Sequence, residues 1–288
     1  MPKNSCVYIN IKYKTEKILT CFYISLLSWK HGVHLIIMKI LVCIKQIPDT
    51  NDVKWSKDNN IIREGTISIL NPYDVLAIEQ AKKFKDAEIT LLSMGPNGAI
   101  DAIRYGLALG AHKGILLSDR KFAGADTLAT AKTLYYAIKN VIKEYDLIIT
   151  GQFALDGDTA QTPYILANLL NIPNIGYVTD IDEINEDNIV VKTAKENGTY
   201  KIKGHYPLLI SIIKFNGEKY KPLANDYIKA QDTEIKILNA DDIMANEEEL
   251  GLKGSPTYVS KAYRPENKRV CKFINSSEIF EEIKWAKF

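Results

Sequence analysis

Apolar positions along this chain fall into two rhythms, and the rhythm changes near residue 175. Before that point, short apolar runs rich in β-branched residues alternate with stretches whose apolar residues recur every three or four positions. The first pattern predicts strands buried on both faces, the second amphipathic helices. Strands are therefore expected over residues 39–44, 88–93, 113–118 and 146–150. Residues 49–65 are polar and turn-rich. A helix is expected to begin at Asn71-Pro72-Tyr73-Asp74, with Val75, Ile78, Ala81 and Phe84 on one face. A second spans 99–109 and stops at Gly110. A third starts from an N-cap at Asp126 and carries Leu128, Ala131, Leu134, Tyr135, Ile138, Val141, Ile142 and Tyr145 in register. A fourth covers 163–170, with Thr162 as N-cap and Pro163 at the first helical position.

Strands alternating with helices predict an α/β fold: a doubly wound, mostly parallel sheet with helices on both faces. Such sheets bind ligands beyond the carboxyl ends of their strands. Residues 43–48, 93–96, 118–127 and 150–162 are the expected positions of those ends. After residue 175 the alternation shortens, and turn residues at 185–187 and Asn197-Gly198 predict an added antiparallel hairpin. Beyond residue 231 little periodicity remains. The chain thus divides into a nucleotide-binding α/β domain over 38–230 and an extended C-terminal arm over 231–288 that packs on another subunit. Residues 1–37 stand apart. Their apolar run, 18–29, is shorter than the roughly 20 residues a bilayer span needs, and no small-residue cleavage site follows it. Met38-Lys39 followed at once by a strand reads as a chain start, so 1–37 is expected to be an upstream extension outside the functional fold.

Charge and cysteine usage remove several function classes. Thirty-seven basic against thirty-five acidic side chains leave a net charge of +2, which gives no footprint for nucleic acid or an anionic membrane. Cys6, Cys21, Cys43 and Cys271 lie far apart, without a CxxC pair, and His31, His34, His112 and His205 lack metal-ligand spacing. Scattered thiols suit a reducing cytoplasm.

The chemistry-bearing stretch is Gly151-Gln152-Phe153-Ala154-Leu155-Asp156-Gly157-Asp158-Thr159-Ala160-Gln161-Thr162, between the fourth strand and its helix. A calcium loop would need Asp or Asn fifth and Gly sixth from Asp156; Ala160 and Gln161 stand there. Glycines before a helix N-terminus suit a phosphate, with the two aspartates turned away to brace backbone amides. From the residues alone, a phosphate cradle and a plain strand-to-helix turn both remain open. Residues 124–130 form a similar junction: either a simple capped helix, or one where Thr127 and Thr130 add hydroxyls for a second anionic or ribityl group. Neither GxGxxG nor a Walker A sequence occurs, and no nucleophile elbow. Any reaction would therefore reside in a bound cofactor.

Seven segments in order, "LVCIKQIPDT" (41–50), "NPYDVLAIEQA" (71–81), "SMGP" (93–96), "ALGAHKGILLSDR" (108–120), "ADTLAT" (125–130), "GQFALDGDTAQT" (151–162) and "GSPT" (254–257), resemble the small (beta) subunit of electron transfer flavoproteins. The resemblance implies a heterodimer whose large (alpha) subunit carries FAD and whose small subunit holds a second adenine nucleotide. In simpler members that nucleotide is a structural AMP. In electron-bifurcating members it is FAD, and a hydride from NADH splits into single electrons for an acyl-CoA dehydrogenase type partner and for ferredoxin or flavodoxin. Carried over by position, nucleotide contacts fall on Cys43, Asn71, Pro72, Tyr73, Asp74, Met94 and Gly151–Thr162. Asp126, Thr127 and Thr130 fall on the flavin part. The stretches "ADTLAT", "PDT" and "GSPT" resemble the bacterial FAD-containing branch, so FAD is expected in preference to AMP. Leu223 matches the exposed leucine that anchors the family to its dehydrogenase. The chain departs from its relatives at Gln152-Phe153, where they often have Arg-Gln, and at Pro163-Tyr164, where they often have Gly-Pro. An adenine-nucleotide sensor or hydrolase on a similar fold is the rival from another class.

Overall fold

A computed structural model describes residues 37–49, 67–217 and 220–258, together with the backbone of three two-residue strands, Ile9–Asn10 (β1), Lys54–Trp55 (β4) and Ile61–Ile62 (β5). The expectations for the rest of residues 1–36, for most of the polar connection over 50–66 and for the arm beyond Tyr258 fall outside the described residues.

A ten-stranded sheet of order β1-β12-β11-β10-β13-β9-β2-β7-β8-β14 organises the described residues. Its central strands are Met38–Ile44 (β2), Ala87–Met94 (β7), Lys113–Leu117 (β8) and Leu147–Gly151 (β9), close to the positions that the apolar runs predict. Asn174–Ile184 (β10), Leu208–Ile212 (β13) and Ile235–Leu238 (β14) extend the parallel pairing on either side. Asn188–Lys195 (β11) and Gly198–His205 (β12) form the antiparallel part, turning where Asn185–Asp187 and Asn197-Gly198 signal it. Gln46–Pro48 (β3) and Ser68–Leu70 (β6) make a separate short antiparallel ladder.

Alternate residues of β2 enter different cores. Ile40, Val42 and Ile44 pack on one face with Ala77, Ile78, Ala81 and Ile103. Leu41 and Cys43 pack on the other with Ala131, Leu134, Leu166 and Ala167. Both faces of the strand are apolar, so its sequence reads as a continuous run and not as an alternation. The helices divide accordingly. Pro72–Ala81 (α1) and Ile100–Ala108 (α2) cover the first face; Thr127–Ala137 (α3) and Thr162–Leu170 (α4) cover the second. Ala224–Asp232 (α5) lies against α2, where the Arg104 guanidinium donates to the carbonyls of Ala230 and Thr233. The result is the doubly wound α/β architecture.

Three local expectations are corrected. The third helix does not run unbroken to Tyr145. It is α-helical to Ala137, widens into a π turn over Ile138–Ile142, and stops where Lys143 turns left-handed (φ 64°) and donates to Ile138 O at 2.7 Å. The widening lets the chain reverse into β9, whose Asp146 exchanges hydrogen bonds with Lys39 at the start of β2. Phe84 is buried but follows the end of α1. Thr162 is the first residue of α4 and not its cap; Gln161 precedes it without a side-chain capping bond. The first part of the tail runs along its own sheet: Ile235–Leu238 pairs with β8 from Gly114 to Leu117.

Candidate functional site

β2 lies between β9 on one side and β7 on the other, so the chain winds away from β2 in both directions. A crevice opens at such a reversal, at the carboxyl ends of the flanking strands. The residues expected to bind a nucleotide lie at these strand ends and in the loops and first helical turns that follow them; Leu223, expected to bind a partner, is the N-cap of α5 elsewhere.

Asp74 in the first turn of α1 is only 5% exposed and joins the two strand ends. Its Oδ2 accepts from the Lys45 amide just past β2, at 2.7 Å. Its Oδ1 accepts from the Gly151 amide at the end of β9, at 3.2 Å. Gly151 is required by close approach: a Cβ there would lie 2.3 Å from Asp74 Oδ1 and 3.0 Å from the Tyr73 carbonyl carbon. Burial raises the Asp74 pKa to about 7, although the Lys45 amide, the Asn71 side chain, the Gly151 amide and the Lys45 charge all pull it down. Burial likewise lifts the Cys43 thiol to about 12, with a smaller push from Asp74. Cys43 therefore stays protonated, under the crevice, facing the α3/α4 core.

The 151–162 loop is fixed at both ends and in the middle. Asn71 Nδ2 donates to Phe153 O at 3.0 Å, and the Phe153 ring packs on Tyr73 with centroids 4.3 Å apart. Gln152 is fully buried. Its Oε1 accepts from the Tyr177 amide and the Ser211 hydroxyl, both at 2.7 Å, and its Nε2 donates to Tyr164 OH at 3.0 Å. Gln152 and Tyr164, two positions where the sequence is expected to depart from its relatives, therefore bond to each other. Asp156 does not brace amides as the sequence reading supposed. Its carboxylate takes both oxygens to Lys45 Nζ, at 2.7 and 2.8 Å. The amide-bracing role falls to Asp74.

The tip of the loop has the backbone of an anion cradle. Gly157 and Asp158 donate their amides back to Ala154 O. The amides of Thr159, Ala160, Gln161 and Thr162 have no acceptor among the described residues, and they lead into the N-terminus of α4. Asp158 and Ala160 are both left-handed, at φ 49° and 53°. For Ala160 that conformation costs about 1 kcal/mol or more. Alternating left-handed residues turn successive N–H groups toward one side, as anion-binding nests do, and a helix N-terminus adds a favourable dipole.

Thr127 Oγ1 donates to Gln161 Oε1 at 3.1 Å, joining this loop to the first turn of α3. Asp126 caps that turn, its Oδ1 accepting from Leu128 and Ala129 at 3.0 Å each. Burial pushes its pKa up, but the amide of Ala129, the hydroxyl and amide of Thr257 and the amide of Leu128 outweigh burial and hold it below the usual carboxylate range. Beside α3 lies a cleft of about 620 Å³ lined by Met94–Asn97 and by residues 118–120 and 122–125. Sequence reasoning named Met94 and marked these strand ends, but gave no role to Arg120, an exposed cation lining the cleft, or to Lys45. The strand-end rule could have found Arg120. The Lys45–Asp156 pair spans 111 positions and leaves no local signal.

Asn71 Oδ1, Ser93 Oγ and Thr150 Oγ1 are buried at these strand ends without a hydrogen-bond partner among the described residues. Buried polar atoms are rarely left so. Together with the free amides and the cleft, they fit a ligand with both a phosphate and a long polar body. No cluster of three or more His, Cys, Asp or Glu side chains suited to a metal occurs among the described residues, and no described helix is long and apolar enough to cross a membrane.

The profile of the family described as "Electron transfer flavoprotein domain" matches residues 58–242. The chain is 43% identical over 238 residues to an electron transfer flavoprotein subunit beta of Megasphaera elsdenii, covering 79% of this chain and 88% of that one. It is 40% identical over 250 residues to the caffeyl-CoA reductase-Etf complex subunit CarD of Acetobacterium woodii (85% and 94% covered). It is also 37% identical over 240 residues to the protein FixA of Sinorhizobium fredii (79% and 84%).

The raised pKa of Asp74 makes a pH prediction. Between the unfolded value near 3.8 and the folded value of about 7, the folded chain holds a proton that the unfolded chain has released. Stability from this group is therefore full below the unfolded value and is lost as pH rises through about 7. In chemical denaturation of the full chain, the wild type should lose roughly 2–3 kcal/mol from pH 5 to pH 8 that Asp74→Asn does not lose. Parallel pH profiles for the two proteins would contradict the assignment.

Proposed function

The chain belongs to the electron transfer flavoprotein family, whose beta subunits act in electron transfer with an alpha partner, and on that premise we propose that it binds FAD at the carboxyl ends of β2, β7, β8 and β9. The observation that carries the choice of FAD over AMP is the continuity of the site. The phosphate-type loop is tied to the first turn of α3 through Thr127 and Gln161, and the 620 Å³ cleft is lined by residues 122–125, just ahead of that turn. A mononucleotide needs only the loop and the Asn71–Asp74 turn; a cleft of this size leaves room for the ribityl and isoalloxazine of a dinucleotide.

FAD supplies the redox chemistry, taking up a hydride and releasing electrons singly. The chain's own side chains bind and orient. The amides of Thr159–Thr162 hold phosphate, with Asp156 neutralised by Lys45 so that it does not repel the anion. Asn71 and Asp74 fix the loop against the strand ends. In this reading the flavin end lies in the cleft that Met94 and Arg120 line, with Thr127 and Thr130 of α3 assigned to it by the family resemblance, and Arg120 brings a positive charge that favours electron-rich forms of the ring system.

In this reading NADH is the hydride source in the cytoplasm, and the electrons pass to an acyl-CoA dehydrogenase type partner and to ferredoxin or flavodoxin. The arm over 231–288 contacts the large subunit. Leu223 is 68% exposed at the start of α5, near the exposed Tyr227 and Ile228. Its amide donates to Asp226 Oδ2 at 2.7 Å, which fixes the backbone beneath the side chain. An ordered apolar anchor within a polar surround suits a hot spot for the dehydrogenase.

Two measurements test these proposals. Extraction of the purified heterodimer should yield two FAD and no AMP; one FAD and one AMP would defeat the FAD assignment. Leu223→Asp should slow electron transfer to the dehydrogenase about a hundredfold through lost docking, with flavin content unchanged. An unchanged rate would remove Leu223 from the interface.

A further inference from the structure

The wall of the cleft is made by two parts of the chain far apart in sequence. Residues 118–120 and 122–125 line it, with Asp126 next in the chain, and the tail bonds to this stretch from Ala240 to Thr257. Two aspartates, Asp119 in the wall and Asp126 just past it, work alike. Asp119 Oδ1 accepts from the Lys121 amide of its own loop and Oδ2 from the Ala240 amide of the tail, each at 3.0 Å. Asp126 Oδ1 accepts from the first turn of α3, and its Oδ2 accepts from the amide and hydroxyl of Thr257 at 3.1 and 2.8 Å. The Asp126 amide in turn donates to Ser255 Oγ at 2.8 Å, across 129 positions. Between them, the Leu252 amide donates to Ala123 O at 3.0 Å. Gly251 is left-handed (φ 51°), and a Cβ on it would lie 2.2 Å from Lys121 O, so the tail approaches as closely as backbone allows. Lys121 pairs with Glu247 at 2.5 Å, and Glu249 binds Lys132 on α3 at 2.9 Å.

Asp126 therefore serves two partners through one carboxylate, and neither use leaves an oxygen free of the chain. The wall cannot shift toward or away from a ligand without changing the tail's grip on it. We propose that Ser255 and Thr257 are positioning residues for the cleft, acting through Asp126, so that occupation of the cleft and seating of the tail are coupled. The inference rests on the reading that the flavin end of FAD fills this cleft. Coupling of binding free energies is reciprocal: what the tail contributes to ligand affinity, the ligand returns to the tail. The segment that leads toward the arm would thereby be held most firmly when the flavin is in place.

The full chain is titrated with FAD and separately with AMP, as wild type, as Ser255→Ala/Thr257→Val and as Thr257→Ser. The double variant should bind FAD about tenfold more weakly, with AMP affinity changed less than about twofold, since AMP needs only the loop and α1. Thr257→Ser, which keeps the hydroxyl, should restore FAD affinity to near the wild-type value. Hydrogen exchange on the wild type supplies a second readout that needs no variant. FAD and not AMP should slow exchange across residues 250–257. If wild type binds FAD and the double variant binds it equally well, the coupling is overturned and the FAD reading stands. Equal losses for FAD and AMP, or no change in exchange at 250–257 on adding FAD, also overturn it. If wild type takes AMP but no FAD, the reading beneath it fails, and the inference with it.

Discussion

One buried carboxylate holds the ligand end of this sheet together. Asp74 reaches from the first turn of α1 to the amides that end β2 and β9, the two strands between which the winding of the sheet reverses. Its position dictates much else. Gly151 has to lack a side chain, because Asp74 and Tyr73 occupy the space a Cβ would fill. The loop that follows must leave β9 over the start of α1, where Asn71 catches Phe153 O. Lys45, its amide spent on Asp74, extends its side chain to Asp156 and removes the charge that would otherwise oppose an anion. Burying a carboxylate is costly, and two amide donors offset that only in part, which is why the pKa stays high.

Around this fixed point the site is built from backbone more than from reactive side chains. Free amides at the start of α4, left-handed residues in the loop and a capped first turn of α3 are devices for holding a polar ligand still. The second half of the site depends on the tail, which closes the cleft wall from behind. Both halves meet at the hydrogen bond between Thr127 and Gln161. Such an arrangement suits a protein whose task is to fix a redox cofactor between partners.

Much of this was legible in the sequence because it is local. Short apolar runs between turn residues marked β2, β7, β8 and β9, and an aspartate ahead of a periodic run marked the Asp126 cap. The strand-end rule then pointed to the loops that the structure gathers at one end of the sheet. What escaped was non-local or geometric. Nothing near Lys45 announces Asp156, and nothing near Ser255 or Thr257 announces Asp126, more than a hundred positions away. Two aspartates in a glycine-rich loop look like amide braces, yet the brace is Asp74, whose sequence neighbourhood only suggests a helix start. The tail lacks periodicity because Ile235–Leu238 is a short edge strand and the following turns are held by individual hydrogen bonds, which leave no repeat to read. The π turn at Ile138–Ile142 is equally silent, since its residues keep helical spacing up to the point where the chain must turn back.

The central claim is that a dinucleotide lies along the carboxyl ends of these strands, with its phosphates on the loop after β9 and its far end in the cleft beside α3. A crystal structure of the complex as purified tests it most directly. The account predicts FAD with phosphate oxygens on the amides of Thr159–Thr162 and its ring system between Met94 and the wall at 118–120 and 122–125. A nucleotide bound away from the 151–162 loop, or AMP on that loop with the cleft closed by protein, would contradict it.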